Sequence, residues 1–198
     1  MSINYCVHSL FPTSVMEFDL QNYFAENEIK MLHDLQEKSM SHYLIPNGST
    51  TYDSIQNLLA IKKYIFLKHI LDRCVEEYCK TIALQPLFIT RCWTSFLSKG
   101  CKTKLHKHEG SVVSGALYIQ SSDLSSPLIL NSPLKPYRQF DLFYDENCHN
   151  SYTVSLPAKK FILYIFPSWL EHETELETTK DIRQVISFNT SYKHLTNI

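Results

Sequence analysis

The fold is decided by the stretch Leu87-Phe88-Ile89-Thr90-Arg91-Cys92-Trp93-Thr94-Ser95-Phe96, where β-branched and aromatic residues begin to dominate the chain. Further stretches of this kind follow, and turn formers such as Lys99-Gly100 and Ser132-Pro133 separate them. These stretches are residues 112–119, 128–130, 152–156, 161–166 and 182–192. Short strands without helical patterns between them predict a mainly β fold, a sandwich or barrel of jelly-roll type.

The N-terminal third has a different pattern. Apolar residues recur at helical spacing within residues 24–39, which predicts a short amphipathic helix. A longer helix is predicted from Asp53, as its N-cap, to about Ala83. A short strand is predicted within residues 15–19, and Pro46-Asn47-Gly48-Ser49 is predicted to be a loop.

The chain is predicted to form one domain over residues 1–198. Its helical N-terminal part, residues 1–86, is expected to pack on a β core formed by residues 87–198. No linker-like stretch separates the two parts, so they are not expected to be independent domains.

Composition restricts the classes of function. The chain has 44% hydrophobic and 20% charged residues, which is typical of a globular protein. Its net charge of −1 provides no global field that would attract nucleic acid. It has no apolar run long enough for a membrane span, and its first residues lack the pattern of a signal peptide. We therefore expect a cytoplasmic protein.

Cysteine usage agrees with that expectation, since a cytoplasmic protein keeps its thiols reduced. No C-x-x-C motif occurs, so the thiols are predicted to be structural rather than metal-binding. The six cysteines are Cys6, Cys74, Cys79, Cys92, Cys101 and Cys148.

Three histidines and an arginine stand out as a chemical pattern. His106 and His108 lie two residues apart, a spacing that puts both side chains on one face of a β-strand. His172 follows much later, and Arg183 opens another β-rich stretch. Non-haem iron oxygenases that take 2-oxoglutarate use this order, in which the ligands hold Fe(II) and the cation holds a carboxylate.

Longer motifs around these residues resemble a known family. Residues 106–119 resemble the pattern H-x-H-P-x-S-x-x-S-G-x-Y-Y, and residues 166–172 resemble F-P-S-W-L-x-H. Residues 183–189 resemble R-x-x-x-S-F-N, while residues 10–13 and Trp93 also fit. Over nearly its whole length the chain is similar to a family of 2-oxoglutarate- and Fe(II)-dependent oxygenases of bacteria and phages, related to prolyl hydroxylases.

The resemblance implies a double-stranded β-helix, Fe(II) as cofactor and 2-oxoglutarate as co-substrate. It puts metal ligands at His106, His108 and His172, and the co-substrate carboxylate on Arg183. It also implies O₂ and a prime substrate as reaction partners, in the cytoplasm of a bacterium or a phage-infected host.

The third metal ligand has an alternative. The commoner oxygenase site includes one carboxylate, and Glu109 stands next to His108 where the family usually has proline. On a regular strand, however, Glu109 would face away from His106 and His108. Another third ligand, or solvent-exposed histidines without a metal, therefore stay open at this point.

Two further residues are candidates for binding the co-substrate. Ser187 shares a strand face with Arg183, and Tyr118 shares one with Ser114 and Ala116, although packing in the core is an equal alternative for Tyr118. The tryptophans are predicted to be core residues, and the remaining histidines to be surface residues without function. These residues are Trp93 and Trp169, and His8, His33, His42, His69, His149 and His194.

The expected activity is hydroxylation of a C–H bond with conversion of 2-oxoglutarate to succinate and CO₂. Two other hypotheses stay open on the sequence. One is a metal-binding or structural jelly roll without oxygenase activity, since the usual carboxylate ligand is missing. The other is a three-histidine iron dioxygenase that acts on a small thiol and does not use 2-oxoglutarate.

Overall fold

A computed structural model describes residues 3–4, 6, 8, 10–138, 145–147 and 149–192. Short 3₁₀ helices cover Asp34–Lys38, Leu58–Ala60, Lys62–Tyr64 and Lys135–Tyr137. The other elements, in chain order, are β1 (Met16–Asp19), α1 (Glu26–His33), β2 (Met40–His42), β3 (Ile45–Thr50), α2 (Ile65–Thr81), β4 (Leu87–Leu97), β5 (Val113–Gln120), β6 (Leu128–Asn131), β7 (Thr153–Leu156), β8 (Ile162–Pro167), β9 (His172–Thr174) and β10 (Arg183–Tyr192).

The described strands form two antiparallel sheets. The large sheet has the order β1-β8-β5-β10-β4-β3-β2, and the small sheet has the order β7-β6-β9. Side chains from both sheets share one buried cluster, which includes Tyr118 and Val185 of the large sheet and Leu128 and Leu130 of the small one. Two sheets that pack face to face in this way form a jelly roll, as the β-rich pattern predicts.

The helices cover the other face of the large sheet. Leu67 and Leu71 of α2 are fully buried in a cluster that also contains Leu117 and Ile186 of the sheet. Burial of each such side chain stabilises the fold by about 1.5–3 kcal/mol. Successive residues of a strand point to opposite faces, so β5 sends Leu117 towards the helices and Tyr118 towards the small sheet.

Gly115 allows β5 and β10 to pack closely at their centre. It lies opposite Phe188 in the strand register, and a side chain at Gly115 would overlap the ring of Phe188. Phe188 is fully buried in the cluster beneath the helices. The aromatic ring therefore fills the place that a β-carbon at position 115 would take.

The long helix begins later than the sequence pattern predicts. The α-helix starts at Ile65 rather than at Asp53, and 3₁₀ turns precede it. Thr51 holds the chain against β4 instead, because its backbone N–H donates to the Thr94 carbonyl and its hydroxyl accepts from the Thr94 N–H. Asn57 caps the first 3₁₀ turn, Leu58–Ala60, since its side chain accepts from the Leu59 N–H. Hydrogen bonds to the sheet thus override the local helical preference.

Residues 46–49 do not form a loop, so the loop predicted there from the sequence is wrong. They belong to β3, which pairs with β2 on one side and with β4 on the other. Gly48 makes the pairing sterically feasible, since a β-carbon there would lie 2.6 Å from Ile45 Cγ2 and 2.9 Å from the Phe96 carbonyl oxygen. The N-terminal part therefore contributes strands as well as helices, and the single-domain organisation stays a prediction.

Several thiols and tryptophans can now be placed. Cys74, Cys79, Cys92 and Cys101 are buried thiols, as expected of structural cysteines. Trp169 is 52% exposed, so its prediction as a core residue is wrong. Cys148 and His194 lie outside the described residues.

Within the described ranges, no helix combines the length and apolar character that crossing a bilayer requires.

Glu177 is a buried carboxylate that fastens three chain segments. Its backbone pairs with the segment before the histidine pair, since the Glu177 N–H donates to Cys101 O and the Gly100 N–H donates to Glu177 O. Its carboxylate accepts from the backbone and hydroxyl of Ser126, and from the backbone and hydroxyl of Thr179. Burial alone would raise the pKa of this carboxyl, but these donors outweigh it and hold the pKa below its usual range.

We expect Glu177→Gln to lower the free energy of unfolding by about 2 kcal/mol at pH 7, since charge-assisted hydrogen bonds are lost. A depressed pKa contributes stability above the unfolded-state pKa and loses it as the pH falls through the folded-state pKa. The difference between wild type and variant should therefore shrink below about pH 4. Urea unfolding as a function of pH measures this difference in the free energy of unfolding, with exposed Glu175→Gln as the control. Equal effects of both substitutions would contradict the stabilising role of the Glu177 carboxylate.

Candidate functional site

The three predicted ligand histidines converge in the structure. One ring nitrogen from each of His106, His108 and His172 lies within 4.8 Å of the others. The ring centroids are 4.2 Å apart for His106 and His172, and 5.1 Å apart for His108 and His172. Such a group can hold one face of a metal ion.

Backbone hydrogen bonds position these rings. The His106 N–H donates to the His172 carbonyl at 3.0 Å, and the His172 N–H donates to the His106 carbonyl at 2.8 Å. This antiparallel bridge extends the edge of the small sheet at β9. The His108 N–H donates to the Ser168 carbonyl. Only His106 is thus paired as in a strand, and the turn at Ser168 brings His108 to the same place.

Side-chain hydrogen bonds set the protonation of two rings. His106 Nδ1 lies 2.8 Å from the Lys104 carbonyl oxygen, and His172 Nδ1 lies 2.9 Å from the Leu170 carbonyl oxygen. A carbonyl can only accept, so each Nδ1 carries the proton and each Nε2 presents a lone pair. That tautomer suits a metal ligand.

Burial keeps the three imidazoles neutral. It lowers the pKa of His108 to about 4 and that of His172 to about 3, and in both cases neighbouring His106 adds to the effect. Burial also lowers the pKa of His106, against the opposing effect of the Lys104 carbonyl. Neutral imidazole is the form that binds metal ions.

Glu109 does not join this group. Its side chain is 83% exposed and lies 3.6 Å from the ammonium of Lys107. In the described part of the chain, His108 and not Glu109 accompanies the other two histidines.

Arg183 is buried beside Tyr118. Its side chain is only 2% exposed, and its Nη2 donates to the Tyr118 hydroxyl at 3.1 Å. Its Nε and Nη1 are buried without a hydrogen-bond partner in the described part of the chain. Burial raises the pKa of Tyr118, and the adjacent guanidinium opposes that shift. A buried cation with two free donors can bind an anion such as a carboxylate.

The three histidines, Tyr118 and Arg183 line one cavity of about 580 Å³. Val185 and Ser187 line it with Arg183, as their alternation along β10 predicts. Ser187 is four residues from Arg183, which is about 13 Å along a strand.

Sequence analysis missed several residues of this cavity. His42 is 12% exposed rather than a surface residue, and its Nε2 lies 3.9 Å from Asp53. Tyr52 and Asn189 also line the cavity. Trp93 is buried as predicted, but its ring lies at the cavity wall, 5.8 Å from that of His108.

The other histidines have varied surroundings. His33 is also less exposed than predicted, since its Nδ1 lies 2.7 Å from the Gln184 side-chain oxygen in a half-buried contact. His8, His69 and His149 are exposed, as predicted. The alternation along β4 and β10 is the sequence signal that could have identified Trp93 and Asn189 as cavity residues.

Comparisons with solved structures agree with the jelly roll. HygX from Streptomyces hygroscopicus, with nickel, 2-oxoglutarate and hygromycin B bound, is 15% identical, with a TM-score of 0.62 over 91% of this chain and 84% of that one. A Pseudomonas putida prolyl-4-hydroxylase is 9% identical, with a TM-score of 0.59 over 91% and 94%. A Trichoplax adhaerens prolyl hydroxylase in complex with a hypoxia inducible factor peptide fragment is 14% identical, with a TM-score of 0.61 over 92% and 86%.

Sequence comparison is more specific about the family. No curated protein matches the chain. The model of a family described as "Putative 2OG-Fe(II) oxygenase" matches residues 91–189, which is half of the chain and includes the three histidines and Arg183. The chain therefore belongs to the 2-oxoglutarate- and Fe(II)-dependent oxygenases, enzymes whose cofactor is Fe(II) and whose co-substrate is 2-oxoglutarate.

Proposed function

We propose that the protein hydroxylates a prime substrate, with Fe(II) on His106, His108 and His172 and with 2-oxoglutarate on Arg183. The observation that carries the proposal is that two groups with unused binding capacity line the same cavity. One is a group of neutral imidazoles, and the other is a buried guanidinium with unused donors.

The donor set fits Fe(II). Imidazole nitrogen is a common ligand of iron, and three ligands on one face leave positions for the co-substrate and O₂. Because all three ligands are neutral, the ion keeps both positive charges, which favours an anionic co-substrate. The backbone bridge between His106 and His172 keeps two of the ligands in place before the metal binds.

The guanidinium fits the far carboxylate of 2-oxoglutarate. Nη2 of Arg183 uses one N–H for the Tyr118 hydroxyl, and its second N–H can bind a planar carboxylate together with the neighbouring free donor, Nε or Nη1. Tyr118 holds the orientation of the guanidinium and offers its hydroxyl to the same carboxylate. Ser187, which lines the cavity on the same strand face as Arg183, is proposed as a helper in binding the co-substrate.

Bound Fe(II) supplies the oxygen chemistry, in which 2-oxoglutarate and O₂ yield succinate and CO₂ while a substrate C–H becomes C–OH. The protein supplies orientation and a shielded cavity. Trp93 and Phe166 pack against the rings of His108 and His172, respectively, and limit access of water to the ligands. Buried thiols such as Cys92 agree with a reducing location, and we propose the cytoplasm of a bacterium or a phage-infected host.

Dependence on 2-oxoglutarate separates this proposal from the alternatives. A thiol dioxygenase would bind iron but show no charge-transfer absorption with 2-oxoglutarate. A structural jelly roll would bind neither. Anaerobic titration with Fe(II), followed by 2-oxoglutarate, distinguishes the three hypotheses in one sample.

We expect His172→Ala to weaken Fe(II) binding at least about 100-fold, because even groups that only support a ligand contribute 10–100-fold. His106→Ala should have a similar effect. Anaerobic titration measures the affinity, and the Fe(II)-induced rise in the unfolding midpoint checks it independently. His69→Ala on the exposed face of α2 is the control, and Fe(II) affinity equal to that of the control would refute the ligand assignment.

Arg183→Met should keep Fe(II) binding but weaken 2-oxoglutarate binding by about 100-fold or more, since two charge-assisted hydrogen bonds are lost. Tyr118→Phe removes one hydroxyl and should weaken 2-oxoglutarate binding by about tenfold. Calorimetry of the Mn(II)-loaded protein measures both, with Arg73→Met on the surface of α2 as the control. Unchanged 2-oxoglutarate affinity in Arg183→Met would exclude this carboxylate site.

A further inference from the structure

Three polar residues from three separate motifs meet beside the metal centre. Ser114 Oγ lies 2.7 Å from Ser168 Oγ and 2.8 Å from Asn189 Oδ1. Each hydroxyl has one proton, and Ser114 donates its proton to the amide oxygen. Ser168 must therefore donate to Ser114, so the chain of hydrogen bonds has one direction and fixes the orientation of the Asn189 amide.

This chain of hydrogen bonds is anchored in the backbone. The Ser168 N–H donates to the Val112 carbonyl at 3.0 Å, and the Ser168 carbonyl accepts from the His108 N–H at 2.9 Å. Ser114 and Ser168 are both fully buried. The Asn189 amide is thus held rigidly next to a proposed metal ligand, rather than at a mobile part of the surface.

The amide nitrogen of Asn189 is an unused donor. The side chain lines the cavity, and its Nδ2 has no hydrogen-bond partner in the described part of the chain. Asn189 is six residues from Arg183 on one strand, or about 20 Å. Ser187 lies between the two residues on the same strand face, so the Asn189 backbone is well separated from that of Arg183, and we assign the free donor of Asn189 to the prime substrate.

An aromatic wall stands next to Asn189. Trp93 and Tyr52 meet edge to face with ring centroids 5.0 Å apart, and both line the cavity. Arg91, which lies directly across from Asn189 in the strand register, stacks on Tyr52 at 3.4 Å and donates to its carbonyl. The wall is therefore rigid and suits a flat or apolar group.

The charged residues that line the cavity offer little to an anion, although Arg91, which stacks on Tyr52 outside the lining, keeps a buried Nε without a hydrogen-bond partner in the described part of the chain. Its acidic residues are Asp53, Glu109 and Glu173, and Lys107 is already paired with Glu109 at 3.6 Å. The remaining cation of the lining, Arg183, belongs to the co-substrate end. A carboxylate or phosphate would meet no free cation among the described lining residues.

We propose that Asn189 and the aromatic wall form the prime-substrate subsite, and that it takes a neutral amide whose carbonyl oxygen accepts from Asn189 Nδ2. This inference rests on the proposed function, because the subsite serves the same metal centre. It assigns the substrate to amide-bearing molecules such as peptides, rather than to carboxylates or phosphates.

The test uses full-length protein loaded with Mn(II) and 2-oxoglutarate under argon. The probes are 3-phenylpropanamide and its carboxylate analogue 3-phenylpropanoate, which has no amide group, and Mn(II)-induced proton relaxation reports their dissociation constants. We expect the amide to bind at least tenfold more tightly than the carboxylate. Asn189→Asp should weaken amide binding by about tenfold, equivalent to one hydrogen bond, while 2-oxoglutarate binding is retained.

Exposed Asn22→Asp is the control for the same chemical change, and Asn189→Ser replaces Asn189→Asp if the added charge prevents folding. Three results would each overturn the subsite alone. The first is equal binding of the two probes, and the second is equal amide affinity in Asn189→Asp and the control. The third is absence of amide binding while Mn(II) and 2-oxoglutarate bind. Failure of Mn(II) or 2-oxoglutarate to bind the wild type would instead overturn the proposed function, and the subsite with it.

Discussion

The backbone pairing of residues 101–106 with residues 172–177 is the constraint on which the candidate site depends. At one end, reciprocal hydrogen bonds join His106 and His172. At the other end, the buried carboxylate of Glu177 joins the same ladder to the beginning of β6. The rings of His106 and His172 lie side by side because the backbone holds them there, so the fold itself positions two of the three proposed ligands.

Sequence patterns predicted the elements whose local signal and tertiary environment agree. Runs rich in β-branched and aromatic residues identified β4, β5, β8 and β10, since these central strands bury residues on both faces. The errors at Asp53 and at residues 46–49 have a different origin. There the chain follows hydrogen bonds to β4, and a single sequence does not reveal which distant strand will supply them.

The residues of the candidate site also differ in whether the sequence alone could predict them. The histidines and Arg183 were predictable, because their chemical types and order are typical of one kind of iron site. His42 and Tyr52 were not, because their place at the cavity depends on how β2 and β3 pair beside β4. The motif letters around Ser114, Ser168 and Asn189 were visible, but only the fold shows that they are one hydrogen-bonded group.

The packing of Phe188 on Gly115 has a consequence for how this sequence can vary. The ring occupies the volume that any side chain at position 115 would need, so position 115 must stay glycine while position 188 is phenylalanine. A larger residue at 115 becomes tolerable only together with a smaller one at 188. Because Phe188 directly precedes Asn189 and Gly115 directly follows Ser114, this steric coupling also restricts evolutionary drift of the strands that carry the hydrogen-bonded group.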